Sequence, residues 1–305
     1  MSEPTRDFYN ISANPKNINL NPKKRIDNIV SINKNMKENK HIDRDEKGAT
    51  KMYDNRSLEN DYRTLKPILR KGMLVLDVGC GTGAISKDIA KVIGNSGKVV
   101  GIDNTEKFIE NGKKTNSEVK NLELIHSDLF DFNTNEKFDL IVSARVLQWL
   151  STPGKALLKM KNLLKPNGQI SILDYNHEDI EWVPSPPQSM QNFYRSFLKW
   201  REDAGMNNRI VSNLPNMMKE VGLCSIEVFN SNEYYDRKSE NFEYSVGIWS
   251  QVAEGLNQIV EEGYITKKSR ETAINEYNEW VEDEAISMTM KLNEVRGKLK
   301  ATNAI

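Results

Sequence analysis

Residues 75–84 read VLDVGCGTGA, so an apolar strand runs directly into three glycines spaced two residues apart. Glycine adopts positive φ angles without a steric penalty, and it allows another group to approach the main chain closely. A turn of this kind between a buried strand and a helix is typical of α/β sheets that bind a ligand at the strand ends. Gly79, Gly81 and Ala84 also satisfy the dinucleotide pattern G-x-G-x-x-G/A, so the loop alone leaves the ligand open.

The segments after this loop alternate between strand-like and helix-like patterns. Apolar residues that recur every three or four positions indicate helices, and short apolar runs that end in polar residues indicate strands. This alternation predicts βαβ units and a parallel sheet that helices cover on both faces. The predicted strands after the loop cover 98–102, 122–126, 138–143, 169–174 and 223–229, and a closing antiparallel strand covers 286–295.

Helical patterns also precede the loop and dominate the second half of the chain. An apolar stripe at helical spacing runs over 58–69, and Ser185 with the proline after it indicates another helix start. A shorter helix is predicted at 210–221, and residues 240–285 read as two helices. We expect the helices of the second half to form a cap over the carboxyl ends of the sheet, where ligands bind in such folds.

The composition limits the expected partners and compartment. Lys plus Arg and Asp plus Glu each number 43, so no net charge points to nucleic acid or to a membrane surface. Cys80 and Cys224 lie far apart and provide no disulfide framework, which fits a reducing cytoplasm. The first residues lack the apolar region of a secretory signal, and no run is long enough to span a bilayer. We therefore expect a cytoplasmic monomer or homodimer that acts on a small molecule, without a membrane or nucleic-acid partner.

Three carboxylates help to distinguish the possible ligands. Asp77 lies two residues before Gly79, where a negative charge repels a pyrophosphate but suits a ligand with an ammonium group. Asp103 follows the next strand and can accept from both hydroxyls of a ribose, as it would in an NAD site. Asp128 follows the third strand and can accept from an adenine amino group. These features favour S-adenosyl-L-methionine (SAM), while Ala84 leaves NAD as an alternative.

The chain resembles class I SAM-dependent methyltransferases in an ordered set of motifs, VLDVGCGTG, GID, SDL, FDLIVSARVLQWL and LLKPNGQISILD. The resemblance covers residues 50–175 and is greatest to the small-molecule branch, which includes trans-aconitate and quinone methyltransferases. It implies an α/β fold with a Rossmann-like, doubly wound, seven-stranded sheet whose last strand is antiparallel, here with a helical cap. It also implies SAM as the cofactor and methyl transfer to a small molecule as the reaction.

In similar enzymes an arginine of the helix before the first strand meets the SAM carboxylate. Arg63 is the best-placed match, and Arg56 is the second. Tyr53 precedes this helix and is expected to close over SAM as a lid, since an aromatic face attracts a sulfonium. A purely structural role for Tyr53, in which it holds the helix in place, is the alternative.

The resemblance also assigns the other parts of the cofactor. The glycine loop would lie under the methionine and ribose, Asp103 on the ribose, and Asp128 with Leu129 around the adenine. The main chain near Ser143 would contact the methionine. The expected cofactor-binding residues are Tyr53, Arg63, Asp77, Gly79, Cys80, Gly81, Gly83, Asp103, Asn104, Asp128, Leu129 and Ser143.

We divide the chain into four parts on these patterns. The first is rich in Asn and Lys and has too few large apolar residues to offset its ordering entropy alone. The parts are a polar N-terminal extension at 1–50, a SAM-binding Rossmann-like core at 51–184, a helical cap segment at 185–222, and the last strands at 223–305 with an inserted helical segment at 240–285.

The candidates for chemistry follow the strand at 169–174. His177 can act as a base near neutral pH, although a structural, hydrogen-bonded histidine is the alternative. Tyr175 can serve the reaction through its hydroxyl or act as a wall of the site. Arg145 and Tyr194 are expected to bind the substrate, because an arginine suits an anionic group and Tyr194 lies off the core stripe of its helix.

Other classes of function have less support in the sequence. Asp174 with Asn176 resembles metal-dependent catechol-type methyltransferases, but no acidic residue follows the preceding strand, so no metal is expected. An RNA methyltransferase is the enzyme alternative, although SARV stands where amino-methylating enzymes have [D/N]-P-P-[Y/F]. A SAM-binding regulator without catalysis is the alternative that is not an enzyme.

Overall fold

The computed structural model describes residues 56–300, so the predictions for the 1–50 extension and for Tyr53 lie outside the described residues. Across the described part, none of the helices combines the length and the apolar character that a membrane crossing requires. The strands are β1 (Leu74–Val78), β2 (Lys98–Asp103), β3 (Leu122–His126), β4 (Phe138–Ala144), β5 (Leu164–Val183), β6 (Cys224–Asn230), β7 (Glu233–Asp236) and β8 (Ser287–Lys298). The α-helices are α1 (Leu58–Asp61), α2 (Ala84–Ile93), α3 (Glu106–Thr115), α4 (Pro153–Asn162), α5 (Gln188–Asp203), α6 (Ile210–Glu220), α7 (Phe242–Val246), α8 (Ile248–Gly255), α9 (Gln258–Glu261) and α10 (Lys267–Asp283).

The strands form a sheet in the order β3-β2-β1-β4-β5-β8-β6, and the short β7 also pairs with β8. Strands β1 to β5 pair in parallel, whereas β8 runs antiparallel to β5 and β6. The predicted doubly wound sheet with an antiparallel last strand is therefore confirmed, and β7 is an addition that the sequence patterns did not predict. Strand order reverses direction between β1 and β4, and ligands bind at such a switch point.

Both faces of the sheet are buried, as expected for parallel strands between helices. Successive residues of β1 point to opposite faces, so Val75 belongs to one core with α2 and α5, while Leu76 belongs to another with α4 and α6. This double burial explains why the strand reads as a continuous apolar run in the sequence.

Strands β5 and β8 continue beyond the other strands and support the helical cap. The strand predicted at 169–174 is only the middle of β5. Pairing of β5 with β8 is interrupted between Asn176 and Glu181 and then resumes, so that Trp182 pairs with Met288. Helices α5, α8 and α10 pack on this extension and are called the cap here. Large buried residues of these helices are Phe193, Phe197, Trp200, Trp249, Tyr277 and Trp280.

The helix predicted over 58–69 is in fact two short segments, α1 and a 3₁₀ helix at Arg63–Ile68. The break occurs at Tyr62, whose φ of −145° and ψ of 40° lie outside the helical region. Pro67 has no amide hydrogen to donate, which also disfavours a continuous α-helix here.

The cap also differs in its boundaries from the prediction. Helix α5 begins at Gln188 rather than at Ser185, because Pro187 adopts an extended conformation with ψ of 148°. Only α5 of the 185–222 segment belongs to the cap. Helix α6 packs on the sheet instead, since its apolar residues complete the second core. Residues 240–285 form four helices, α7 to α10, rather than two.

Helix α3 lies against the glycine loop at Gly112, which generates a stability prediction. A methyl group at Gly112 would overlap the carbonyl oxygen of Thr82 and would lie 2.8 Å from Leu124 Cδ1. We predict that Gly112→Ala lowers the free energy of unfolding by about 1–3 kcal/mol, because the helix must move away from the loop. Gly154→Ala in α4 is the matched control, since its methyl group meets only Met217 Cε at 3.9 Å. Urea unfolding measures both variants, and equal midpoints for the two would contradict the prediction.

Candidate active site

Main-chain hydrogen bonds hold the loop after β1 against the end of β2. The amides of Gly79 and Cys80 both donate to Ile102 O, at 2.8 and 3.0 Å. The three alternating glycines have φ angles of 73°, 57° and 79°, which a residue with a side chain rarely adopts. A side chain at Gly79 would also overlap Val146 in the loop after β4. The glycines are therefore needed for the backbone conformation and for the close approach of the two loops.

Asp103 ends β2 and fixes the same loop through its side chain. Its Oδ2 accepts from the amide of Gly81 at 2.9 Å, and its Oδ1 accepts from the amide of Thr105 at 2.9 Å. A carboxylate oxygen has more than one acceptor site, so each can take a further hydrogen bond. Asp103 therefore orders the loop and retains the capacity to bind two hydroxyl groups. Asn104 follows it, exposed, and its carbonyl oxygen lies 3.2 Å from His126 Nε2.

Asp77 is buried in β1 just before the loop. Its Oδ2 accepts a hydrogen bond from Ser86 Oγ of α2 at 2.5 Å. Burial raises the pKa of Asp77 to about 6; the Ser86 hydrogen bond opposes this rise, and the negative charge of Asp103 adds to it. A cation beside Asp77 would stabilise the carboxylate and lower this pKa again.

The end of β3 extends the same edge of the sheet. His126 pairs with Asp103 in the β2–β3 register, and Asp128 follows two residues later. The Asp128 Oδ1 atom accepts from the amide of Phe130 at 2.7 Å, and Leu129 between them is buried. A carboxylate and an apolar side chain thus stand together where the resemblance places the adenine.

The end of β4 lies across the switch point from β1. The Ser143 hydroxyl is fully buried and donates to Val78 O at 2.8 Å, so it joins the two strands. The hydroxyl is committed to the sheet, which leaves only the neighbouring main chain for a ligand.

The side chains at this edge fit SAM better than a dinucleotide. A buried carboxylate with a raised pKa lies beneath the glycine loop, where NAD would place its pyrophosphate. An ammonium or sulfonium relieves the cost of ionising such a carboxyl, whereas a phosphate increases it. The chemistry of Asp77, Asp103 and Asp128 therefore suits a cationic nucleoside.

The two arginines expected at the methionine carboxylate lie in different places. Arg63 is exposed, and its Nη2 donates to Asn232 O at 3.4 Å. Burial raises the pKa of Tyr175, and Arg56 lies close enough to oppose this rise. Arg56 is thus the one near Tyr175 of β5, while Arg63 lies beside the turn between β6 and β7.

Cys80 has no sign of an activated thiol. Burial raises its pKa well above the usual 9.0, and the charges of Asp77 and Asp103 raise it further. Its Sγ lies close to Gly101, where an added methyl group would come within 2.9 Å of the sulfur. The side chain packs the loop against β2.

The two residues expected to take part in the chemistry lie on the extension of β5, next to each other. His177 is 5% exposed, and its Nε2 lies 2.5 Å from Gln148 Oε1. Burial and the positive charge of Arg201 hold the pKa of His177 well below the usual 6.5, so the ring is neutral at pH 7. Tyr175 Oη accepts from Arg145 Nε at 2.9 Å, and burial raises the pKa of Tyr175 to about 12. The centroids of the Tyr175 and His177 rings are 5.3 Å apart.

Arg145 is buried directly after β4 and has a positive φ of 62°. Its guanidinium forms an ion pair with Glu233 of β7 and lies 3.6 Å from an Asp61 carboxylate oxygen. The Nη1 atom is buried and has no hydrogen-bond partner among the described residues. A buried donor without a partner is costly, so Nη1 is available to an oxygen atom of a ligand.

Tyr194 belongs to an aromatic cluster, defined here as Trp182, Tyr194, Phe197 and Trp249. The Tyr194 ring centroid lies 4.7 Å from that of Trp249 and 5.2 Å from that of Trp182. Phe197 and Trp249 both contact the His177 ring, with centroids at 5.9 and 6.2 Å. The Tyr194 hydroxyl donates to His177 O at 2.6 Å. The cluster thus surrounds the imidazole from the side of the cap.

Two buried residues of this site, Gln148 and Arg201, were not expected from the sequence. The signals available were a polar residue within the apolar run VLQWL and an arginine four residues after Phe197, on the apolar side of its helix. Asp174 is fully buried beside them and accepts from the amides of Gln148 and Tyr175 at 3.0 Å each. Burial raises the pKa of Asp174 to about 7.

Comparisons with known proteins identify the family of the chain. The methyltransferase domain family matches residues 69–237, which is more than half of the chain. The chain is 36% identical over 108 residues to a demethylmenaquinone methyltransferase of Staphylococcus aureus (strain MRSA252); this match covers 35% of the chain and 44% of the relative, which is less than half of the relative's length.

Two solved structures have a similar fold. The YcgJ protein from Bacillus subtilis has a TM-score of 0.53 and 16% identity, with 80% of this chain and 99% of that chain covered. Phosphoethanolamine N-methyltransferase 2 of Haemonchus contortus, in complex with phosphomonomethylethanolamine and S-adenosylhomocysteine, has a TM-score of 0.50 and 14% identity, with 80% and 53% covered. The chain therefore belongs to the methyltransferase domain family, which confirms the family expected from its sequence motifs.

Proposed function

We propose that the protein transfers a methyl group from SAM to a small-molecule acceptor. The observation that carries this proposal is the set of three carboxylates around the glycine loop. Asp77 precedes the loop, Asp103 accepts a hydrogen bond from its Gly81 amide, and Asp128 follows β3. Membership in the methyltransferase domain family supports the same reaction, and the similar Haemonchus contortus enzyme was solved with S-adenosylhomocysteine.

In this proposal each carboxylate binds one part of SAM. Asp103 accepts from both ribose hydroxyls with the lone pairs that the loop amides leave free. Asp77 attracts the methionine ammonium group, and Asp128 with Leu129 holds the adenine. An arginine, Arg63 or Arg56, binds the methionine carboxylate.

The acceptor is proposed to lie beside the aromatic cluster, between the cap and the end of β4. Aromatic rings favour a planar acceptor, because stacked and edge-to-face contacts add to the burial of apolar area. Tyr194 is part of this wall, and Arg145 Nη1 donates to an oxygen atom of the acceptor. The name of the Staphylococcus aureus relative, a demethylmenaquinone methyltransferase, is compatible with an acceptor of this kind.

Methyl transfer requires alignment of the two reactants and exclusion of water. SAM supplies an electrophilic methyl group on a sulfonium and leaves as S-adenosylhomocysteine. An acceptor that holds a proton at pH 7 also needs a base, and the neutral imidazole of His177 can take that proton. The Tyr175 phenol, with its raised pKa, stays protonated and can donate a hydrogen bond to the acceptor.

Two measurements test the proposal. Calorimetry with SAM, S-adenosylhomocysteine and NAD identifies the cofactor, and NAD binding without SAM binding would overturn it. Methyl-labelled SAM with fractionated cell extract, followed by mass spectrometry, then identifies the product. A labelled product that ribonuclease destroys would support the RNA alternative, and tight SAM binding without any labelled product would support a regulator.

Removal of the Asp103 carboxylate is expected to weaken SAM binding. Asp103→Ala should cost about 1–3 kcal/mol of binding free energy, because a charged acceptor that serves two hydroxyls is lost. Asp103→Asn keeps one acceptor oxygen and should lose less. Asp131→Ala is the control, since Asp131 is exposed after β3. Calorimetry compares the three variants, and wild-type affinity in Asp103→Ala would contradict the assignment.

SAM affinity is expected to fall at acidic pH because of Asp77. Its pKa is raised to about 6, and only the ionised form attracts an ammonium group. As the pH falls through this value, the free protein takes up a proton that binding must displace, so affinity drops by up to about tenfold per pH unit. Calorimetry with S-adenosylhomocysteine between about pH 5 and pH 8 measures this. Asp77→Asn should bind more weakly with little pH dependence, and a flat wild-type profile would refute the assignment.

His177 is expected to affect the rate of methyl transfer and not the binding of the cofactor. If the acceptor holds a proton, His177→Ala should lower kcat by about 10²–10⁴-fold, the usual contribution of a general base, with SAM affinity nearly unchanged. His126→Ala is the control, because that imidazole is exposed on β3. An unchanged kcat in His177→Ala would eliminate His177 as the base and leave positioning as the mechanism.

A further inference from the structure

The side-chain amide of Gln148 contacts both Arg145 and His177, and only one orientation satisfies both contacts. Gln148 Nε2 donates to Arg145 O at 3.1 Å, and Gln148 Oε1 lies 2.5 Å from His177 Nε2. A main-chain carbonyl oxygen can only accept hydrogen bonds, so the NH₂ group of the amide must face Arg145. The amide oxygen therefore faces the imidazole.

This orientation decides which nitrogen of His177 carries the proton. An amide oxygen can only accept, so His177 Nε2 must be the donor in the contact with Gln148 Oε1. A neutral imidazole with its proton on Nε2 has its lone pair on Nδ1. The Nδ1 atom is consequently the proton acceptor of this ring.

Gln148 itself is held in place from two sides. Its main-chain amide donates to Asp174 Oδ2 at 3.0 Å, and its main-chain carbonyl oxygen accepts from Arg201 Nη2 at 2.9 Å. These contacts anchor its main chain to β5 and to the cap helix α5. Gln148 is 3% exposed. Water therefore has little access to replace the two hydrogen bonds of its side-chain amide, to Arg145 O and to His177 Nε2.

The main chain of His177 is also held by two hydrogen bonds. Its amide donates to Asn208 O at 2.8 Å, and its carbonyl oxygen accepts from Tyr194 Oη at 2.6 Å. Arg201 Nε also donates to Asn208 Oδ1 at 2.8 Å, so the same arginine supports both ends of the Gln148–His177 contact. These contacts hold the imidazole in position beside Gln148.

The charged and titratable groups around His177 keep the ring neutral. Burial and Arg201 of α5 both disfavour the imidazolium. Helix α8 contributes Trp249, which has no charge. The remaining groups are the phenols of Tyr175 and Tyr194, the Asp174 carboxyl that accepts from main-chain amides, and the adjacent Glu178, which is paired with Arg209.

We propose that Gln148 is a positioning residue that holds His177 as the Nε2–H tautomer, so that Nδ1 takes the proton of the methyl acceptor. The inference rests on the proposed function. In the step, the proton moves from the acceptor atom to Nδ1, and the lone pair of that atom forms the bond to the methyl carbon. The carbon–sulfur bond breaks, and its electron pair stays on sulfur and neutralises the sulfonium. The imidazolium then releases its proton to water.

The tautomer can be measured without cofactor or substrate. In the full chain labelled with ¹⁵N-histidine, the His177 spectrum should show a protonated Nε2 and an unprotonated Nδ1 at pH 7. His177→Gln assigns the signal by removing it. Gln148→Met keeps the side-chain length but removes both hydrogen bonds, and it should produce a mixture of tautomers. The opposite tautomer in the wild type, or no change in Gln148→Met, would overturn the proposal.

Kinetics separate a positioning role from a general loss of structure. Gln148→Met should lower kcat by about 10–100-fold, part of the contribution of the base, with the KM for SAM unchanged. In a His177→Ala background the same substitution should have no further effect, because the two residues act as one unit. Gln191→Met is the matched control, since the Gln191 side-chain amide donates to Pro186 O just before the start of α5. An equal effect of Gln148→Met with and without His177 would contradict the proposal.

Gln148→Glu supplies a pH signature of the same contact. A carboxylate beside Nε2–H stabilises the imidazolium and raises the pKa of His177. The variant should therefore lose kcat as the pH falls through the raised pKa, while the wild type stays flat over the same range. A variant profile that matches the wild type would count against the contact. Failure of SAM to bind would instead refute the proposed function, and the tautomer measurement would still stand.

Discussion

The site depends on the hydrogen bonds that tie the loop after β1 to the end of β2. Gly79 and Cys80 share the carbonyl oxygen of Ile102, and Gly81 takes one oxygen of the Asp103 carboxylate. These hydrogen bonds therefore hold the loop and the carboxylate together as one unit. On the other side of the loop, α3 approaches so closely that Gly112 has no room for a methyl group. The close packing of α3 on the loop thus requires glycine at Gly112, and the conformation of the loop requires its own glycines.

The sequence predicts the parallel half of the fold well because its signals are local. Each strand there is a short apolar run between polar residues. The glycine loop identifies β1, the strand that it follows. The cap and the extension of β5 depend on contacts between distant residues, such as the pairing of Trp182 with Met288. Prolines shift helix boundaries by a few residues, as Pro187 does at the start of α5. The short strand β7 has no apolar run of its own and exists because β8 offers it an edge.

The same distinction holds for the site. Asp77, Asp103 and Asp128 can be found from the sequence, because parallel strand ends must meet at one edge. Their hydrogen-bond partners and the pKa of Asp77 cannot be found in this way, since both depend on burial. Glutamine and arginine lie mostly on protein surfaces. The contacts of Gln148 and Arg201 around His177 arise only in the folded structure. A polar residue within an apolar run, such as Gln148 in VLQWL, is the sequence signal for a buried polar side chain of this kind.

Burial at this edge of the sheet drives ionisable groups towards their neutral forms. It raises the pKa of Asp77 to about 6 and that of Asp174 to about 7, and it holds that of His177 well below 6.5. In the proposed function a cationic cofactor supplies the counter-charge that Asp77 lacks, so cofactor binding and ionisation of Asp77 favour each other. A base has the opposite requirement, because it must release its proton after every turnover. In the proposed mechanism an amide at Gln148 meets this requirement: it orients the imidazole as a carboxylate would, but it adds no negative charge that would retain the proton.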